Sequence, residues 1–199
     1  MNTKKIFFKI LTLILFATTM LTSCKREDIE LKNLFSDFSK VIDSGNLGNL
    51  SLTIYYMSPF ILTRSALSVD DLVYGITAVN EPPREKNDVN GQYEIKFMIY
   101  GDELEKQIDL LKQMSNTALI SGQKEIRLNA RIYYVFSTEQ EGKILDVAMW
   151  GFNENADDYE TIFVNGYNVR ANNIFYDVIM PFLSEESVEE LEKYITLLK

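Results

Sequence analysis

Residues 124–136 read KEIRLNARIYYVF, and after a turn residues 144–152 read ILDVAMWGF. In the first run Ile126, Leu128, Ala130, Ile132, Tyr134 and Phe136 occupy every second position. Side chains alternate across a strand, so this period puts the apolar set inward and Arg127, Asn129, Arg131 and Tyr133 outward. Gly142 turns the chain into the second run. There Leu145, Val147 and Met149 share one face and Ile144, Ala148 and Trp150 the other, the signature of a central strand covered on both sides. Further on, Asn165 and Gly166 stand between Ile162, Phe163, Val164 and Tyr167, Val169, and this pair between apolar runs is a strong short-range hairpin signal. At least three strands in succession, without crossover helices, predict an antiparallel sheet.

The rest of the chain fits around that sheet. Gln92 to Tyr100 alternates Tyr93, Ile95, Phe97 and Ile99 against Glu94, Lys96, Met98 and Tyr100, and Ser51 to Met57 is a second upstream strand, ended by Pro59. Leu31, Leu34, Phe35, Phe38, Val41 and Ile42 recur at helical spacing before Gly45, which predicts a helix over 29–44. Ser68 with Asp71 forms a capping box, with Leu67 placed to staple onto Leu72, for a short helix over 69–74 stopped by Gly75. Asp102 with Glu105 reads as a second capping box, opening a helix lined by Leu104, Ile108 and Leu111. Ile174–Ile179 is helical up to Pro181, and Ser184 or Ser187 caps a last helix carrying Val188, Leu191, Ile195 and Leu198. No long-period repeat occurs. The expected fold class is α+β: a mainly antiparallel sheet with helices packed on one face, in a single domain over 29–199.

Upstream of that domain, Lys4, Lys5 and Lys9 precede an apolar run from Ile10 to Leu21 that only threonines interrupt. The run is too short to span a bilayer, which takes about 20 apolar residues, and it suits a secretory signal. Leu21, Thr22, Ser23 and Cys24 follow. This stretch resembles the lipobox of bacterial lipoproteins, in which small residues precede an obligatory cysteine. The resemblance implies a signal peptide over 1–23, cut before Cys24, a diacylglycerol on the Cys24 thiol and an acyl group on its new α-amine. Membrane lipid is then a partner through Cys24. A second acyl chain makes such anchoring stable, each buried methylene contributing about 0.8 kcal/mol. Residues 24–28 form a lipidated tether, in which Lys25 followed by Glu27 and Asp28 resembles the surface-export signal of Bacteroidota lipoproteins, although Arg26 intervenes. The expected location is the cell envelope, on the outer membrane, with its periplasmic and surface-facing sides both open.

Removing residues 1–23 takes away three lysines and no acids, which leaves 17 basic and 29 acidic residues, a formal charge of −12. Such a field argues against nucleic acid, whose phosphates require a basic surface, and favours a basic protein or peptide as partner. Cys24 is the chain's only cysteine, so the fold must hold without an internal disulfide.

The chain has no histidine. Zinc sites built on His and Cys, Cys-His nucleophiles and the Ser-His-Asp triad are excluded. Ser121 and Lys124 have the spacing of the penicillin-binding enzymes, but they sit in a turn before a strand and the companion KTG motif is missing. The acidic stretch 153–160 departs from a calcium loop at Asp158, where glycine belongs, and at Val164, where a bidentate glutamate belongs. No glycine-rich phosphate cradle joins a strand to a helix. Neither a metal nor a cofactor is expected.

Two features suit recognition. The polar loop over 77–91 is longer than the usual connection. If the strands beginning at 92 and 124 are neighbours, Met98, Tyr100, Arg127, Arg131 and Tyr133 share an outer face, and Tyr and Arg are enriched among residues that carry binding energy. A second layer of helices over that face is the competing arrangement. The favoured function is a non-catalytic binding module of the envelope. The alternative is a carboxylate-dependent hydrolase of envelope or extracellular glycans, which needs two carboxylates about 5 to 9.5 Å apart in a cleft.

Overall fold

The structure is a computed structural model, and it describes residues 30–31, 33–60, 66–79, 95–121, 129–150, 162–170 and 172–197. The elements in chain order are α1 (Ser36–Ser44), β1 (Leu50–Tyr56), α2 (Val69–Val79), β2 (Ile95–Tyr100), α3 (Gly101–Glu105), α4 (Ile108–Ser115), β3 (Ala130–Thr138), β4 (Gly142–Trp150), β5 (Ile162–Val164), β6 (Tyr167–Val169), α5 (Ile174–Asp177), a 3-10 turn (Met180–Phe182) and α6 (Glu185–Leu197). The six strands form one sheet in the order β2-β1-β3-β4-β5-β6. Every neighbouring pair is antiparallel. The α+β class and the antiparallel sheet are as the alternation predicts.

The core lies on one side of this sheet. Leu52 and Ile54 of β1, Tyr134 and Phe136 of β3 and Leu145 and Val147 of β4 are fully buried there, against Phe38 and Ile42 of α1, Leu111 and Met114 of α4, and Phe175 and Leu191 from the C-terminal helices. Each such side chain contributes roughly 1.5–3 kcal/mol through the apolar surface it withdraws from water. The rings of Phe38 and Phe136 sit 4.7 Å apart in a tilted pair, and the buried Tyr134 hydroxyl donates to the Phe175 carbonyl at 3.1 Å. That bond satisfies a phenol that burial would otherwise penalise.

Several local expectations give way to tertiary pairing. The first helix begins at Ser36, not at 29. Before it, the Leu31 N–H donates to the Leu119 carbonyl at 2.8 Å, Glu30 bridges Ile120, and Asn33 takes a left-handed φ of 77°. Leu31 and Leu34 still pack against the core, so apolar periodicity alone did not reveal that the backbone there pairs as a strand. The helix opened at 102 is two pieces, α3 and α4, and Asp102 lies within the first turn of α3 without capping it. Gly101, the first residue of α3, packs against the chain that leads into β1: a Cβ there would lie 2.2 Å from the Leu47 carbonyl oxygen, an approach only glycine permits. The helix that begins at 174 stops at Asp177 and gives way to the 3-10 turn containing Pro181.

Other signals read correctly. Ser68 Oγ accepts from the Asp71 N–H at 3.0 Å while Asp71 Oδ2 accepts from the Ser68 N–H at 3.1 Å, which completes the reciprocal cap of α2. That helix nevertheless continues through Gly75 to Val79. Ser184 caps α6, its Oγ accepting from the Ser187 N–H at 3.2 Å. In the β5–β6 hairpin, Asn165 and Gly166 both adopt positive φ, 48° and 79°, the tight turn their types favour.

Helices are not confined to one face. Leu72 of α2 is buried with Met57, Ala130 and Ala148 in a small cluster on the side of the sheet away from the core, flanked by Tyr55, Tyr133 and Phe163. Ala130 reaches that side because the β3–β4 register shifts between Ala130 and Ile132, a bulge that makes Arg131 the extra residue. Ala130 is therefore not in the main core, where strict alternation predicted it.

Candidate partner-binding face

The far face of the sheet follows from the register. Tyr100 stands opposite Ser51, Ser51 opposite Ser137, and Ser137 opposite Lys143. One row along, Met98, Thr53, Val135 and Asp146 are aligned in the same way. A third row runs Tyr55, Tyr133, Ala148, Phe163. Helix α2 caps this third row through the Leu72 cluster. The first two rows lead away from α2 toward the exposed end.

Of the five residues singled out for binding, Met98 and Tyr100 are on this face and well exposed, at 51% and 59%. Tyr133 is half-buried two strands away, under the edge of α2. Arg131 is 3% exposed, with its Nη1 donating to the Ala130 carbonyl at 3.3 Å and pointing at Met57 Sδ at 3.8 Å. Arg127 lies outside the described residues, as do Cys24, the stretch 153–160 and all of the loop 77–91 beyond Val79. The assumption that the strands carrying Met98 and Arg131 are neighbours is corrected: β1 lies between them, and it contributes Ser51, Thr53 and Tyr55 to the face. The alternation of Ser51, Thr53 and Tyr55 with Leu50, Leu52, Ile54 and Tyr56 was the signal that could have placed β1 there.

At the covered end, the rings of Tyr55 and Tyr133 stack with centroids 6.0 Å apart. The Tyr133 hydroxyl donates to Asp146 Oδ2 at 3.1 Å, and Lys143 Nζ donates to the same oxygen at 2.6 Å. Burial first, and then the Asp146 carboxylate, push the Tyr133 phenol well above its usual range. It stays protonated at neutral pH and acts as a hydrogen-bond donor. An exposed tyrosine, an exposed methionine, a stacked tyrosine pair and short polar side chains are groups that bind by surface contact and hydrogen bonding. Among the described residues, no group of three or more His, Cys, Asp or Glu is placed to hold a metal ion, and no helix is long and apolar enough to cross a membrane.

Comparison with known proteins adds no relative to this picture: no family model, no curated protein and no solved structure matches the chain.

Proposed function

We propose that the chain is a lipoprotein of the bacterial envelope that binds a partner without transforming it, using the far face of its sheet around Met98 and Tyr100. The observation that carries this reading is the placement of the only cysteine, Cys24, directly after a basic, apolar and small-residue leader. Lipid on that cysteine confines the domain to a membrane surface, where a modest interface gains from a high local concentration. Support for the binding face comes from its exposed Met98 and Tyr100, residue types suited to recognition. A basic protein or peptide is the partner that the formal charge of −12 on the mature chain favours.

The test is cross-linking and capture from the envelope with the full lipidated chain, alongside a Met98→Ala, Tyr100→Ala double variant. The expected result is a partner held by the parent and lost from the variant. Turnover of an envelope glycan by the purified chain would instead establish the hydrolase alternative.

A further inference from the structure

The sheet does not end at β6. Ser121 bridges Val169, and the Arg170 N–H donates to the Ile120 carbonyl at 2.9 Å. On its other side the same short segment takes Glu30 as a bridge partner to Ile120, and its Leu119 carbonyl accepts from the Leu31 N–H. Successive carbonyls point to opposite sides of an extended strand, so 119–121 lies between β6 and residues 30–31. The order across the molecule is therefore β2, β1, β3, β4, β5, β6, 119–121, 30–31. Among the described residues, 30–31 are the last in this order, at the end opposite β2.

We infer that the domain stands on the membrane with the edge at residues 30–31 and 119–121 turned toward the lipid surface, and with β2, carrying Met98 and Tyr100, turned away from it. This rests on the proposed lipidation of Cys24. Six residues lead from Cys24 to Glu30, and at about 3.5 Å per residue even a fully extended tether reaches only about 20 Å. Seven spacings of about 4.8 Å separate β2 from residues 30–31, roughly 34 Å along the sheet. Standing the domain on β2 would lift Glu30 farther from the bilayer than the tether allows.

Charge points the same way. Beyond Glu30 itself, residues 119–121 and 162–173 carry no carboxylate and one arginine, Arg170, in a chain with 29 acids. The densest groups of carboxylates among the described residues lie elsewhere, at Asp102, Glu103, Glu105 and Asp109 of α3 and α4 and at Glu185, Glu186, Glu189, Glu190 and Glu192 of α6, with further ones on α1 and α2 and in the β3–β4 hairpin. An anionic lipid surface repels those helices more than an edge on which Glu30 is the one carboxylate of these residues. Tyr167, 56% exposed on β6, is of a type that settles at membrane interfaces.

The experiment uses the full lipidated chain in vesicles of phosphatidylethanolamine and phosphatidylglycerol doped with a nitroxide-headgroup lipid. The diacylglyceryl thioether blocks the Cys24 thiol, so Tyr167→Cys and Tyr100→Cys each offer one site for a fluorophore, at positions of similar exposure. Quenching several-fold stronger at 167 than at 100 is expected. Equal or reversed quenching on a chain whose mass includes the lipid overturns the orientation while leaving the anchor intact. A chain that carries no lipid and does not float with vesicles overturns the lipoprotein reading and the orientation with it. A second pair, Arg170→Cys and Met98→Cys, repeats the comparison should either tyrosine variant misfold. A Gly-Ser insert after Asp28 that makes the tether longer than the sheet should shrink the difference, and an undiminished difference would show that the tether is not what orients the domain.

Discussion

The side-chain carbonyl of Asn165 accepts the backbone N–H of Asp146 at 2.9 Å, and the Asn165 N–H returns to the Asp146 carbonyl at 2.9 Å. The same side chain donates through Nδ2 to the Leu34 carbonyl at 2.9 Å. One turn residue thus ties the β5–β6 hairpin to β4 and to the segment that leads in from residue 30. Asn165→Gly keeps the left-handed backbone accessible and loses both side-chain bonds, each contributing about 1 kcal/mol. Urea denaturation should show a loss of about 2 kcal/mol, and hydrogen exchange at the Asp146 amide should accelerate.

Two glycines should respond with opposite signs. A Cβ on Gly101 meets the backbone of Leu47 and Gly48 at 2.2 and 2.8 Å, atoms that cannot move aside without shifting the chain. Gly101→Ala is expected to cost about 3 kcal/mol, at the upper end of overpacking effects. Gly75, inside α2, has nothing within 4 Å of a built Cβ and no positive φ. Gly75→Ala should stabilise by about 0.5–1 kcal/mol through helix propensity. Equal effects in thermal melts would show that the start of α3 does not depend on its close approach to Leu47 and Gly48.

Acid should loosen the start of α2. Hydrogen bonds from the Ser68 hydroxyl and N–H hold the Asp71 carboxyl below the usual carboxylate range. A folded pKa lower than the unfolded one stabilises the protein above the unfolded value, and that contribution is lost as pH falls through the folded value. Stability followed from about pH 7 to about pH 3 should decline less steeply in Ser68→Ala than in the parent. An unchanged acid limb would mean that the capping pair adds nothing to the pH response.

How far the candidate face was legible turns on Arg131 and Tyr100. Period-two alternation placed both on the far face, and Tyr100 is exposed there. Alternation carries no information about a bulge or about what lies over a strand, and Arg131 stands at a bulge and is buried. The order of strands was equally out of reach, because β1 inserts between β2 and β3 by pairing over long sequence separation, with Tyr55 opposite Tyr133. Local chemistry fared better, as the Ser68–Asp71 cap and the Asn165–Gly166 turn depend only on near neighbours. The two kinds of residue separate on mutation: Tyr100→Ala should change stability by no more than about 0.5 kcal/mol, whereas Arg131→Ala should cost about 2 kcal/mol through lost burial and hydrogen bonding. A stable Arg131→Ala protein in denaturant titration would return that side chain to the list of surface candidates.

Intact mass measurement of the chain purified from bacterial membranes tests the proposed lipidation of Cys24 directly. The mass should correspond to a polypeptide beginning at Cys24 with a diacylglyceryl group on sulfur and an acyl group on the new amine, and Cys24→Ser should leave an uncut, lipid-free precursor. A membrane-bound chain that begins elsewhere, or a Cys24→Ser variant still cleaved and retained at the membrane, would contradict the lipoprotein reading.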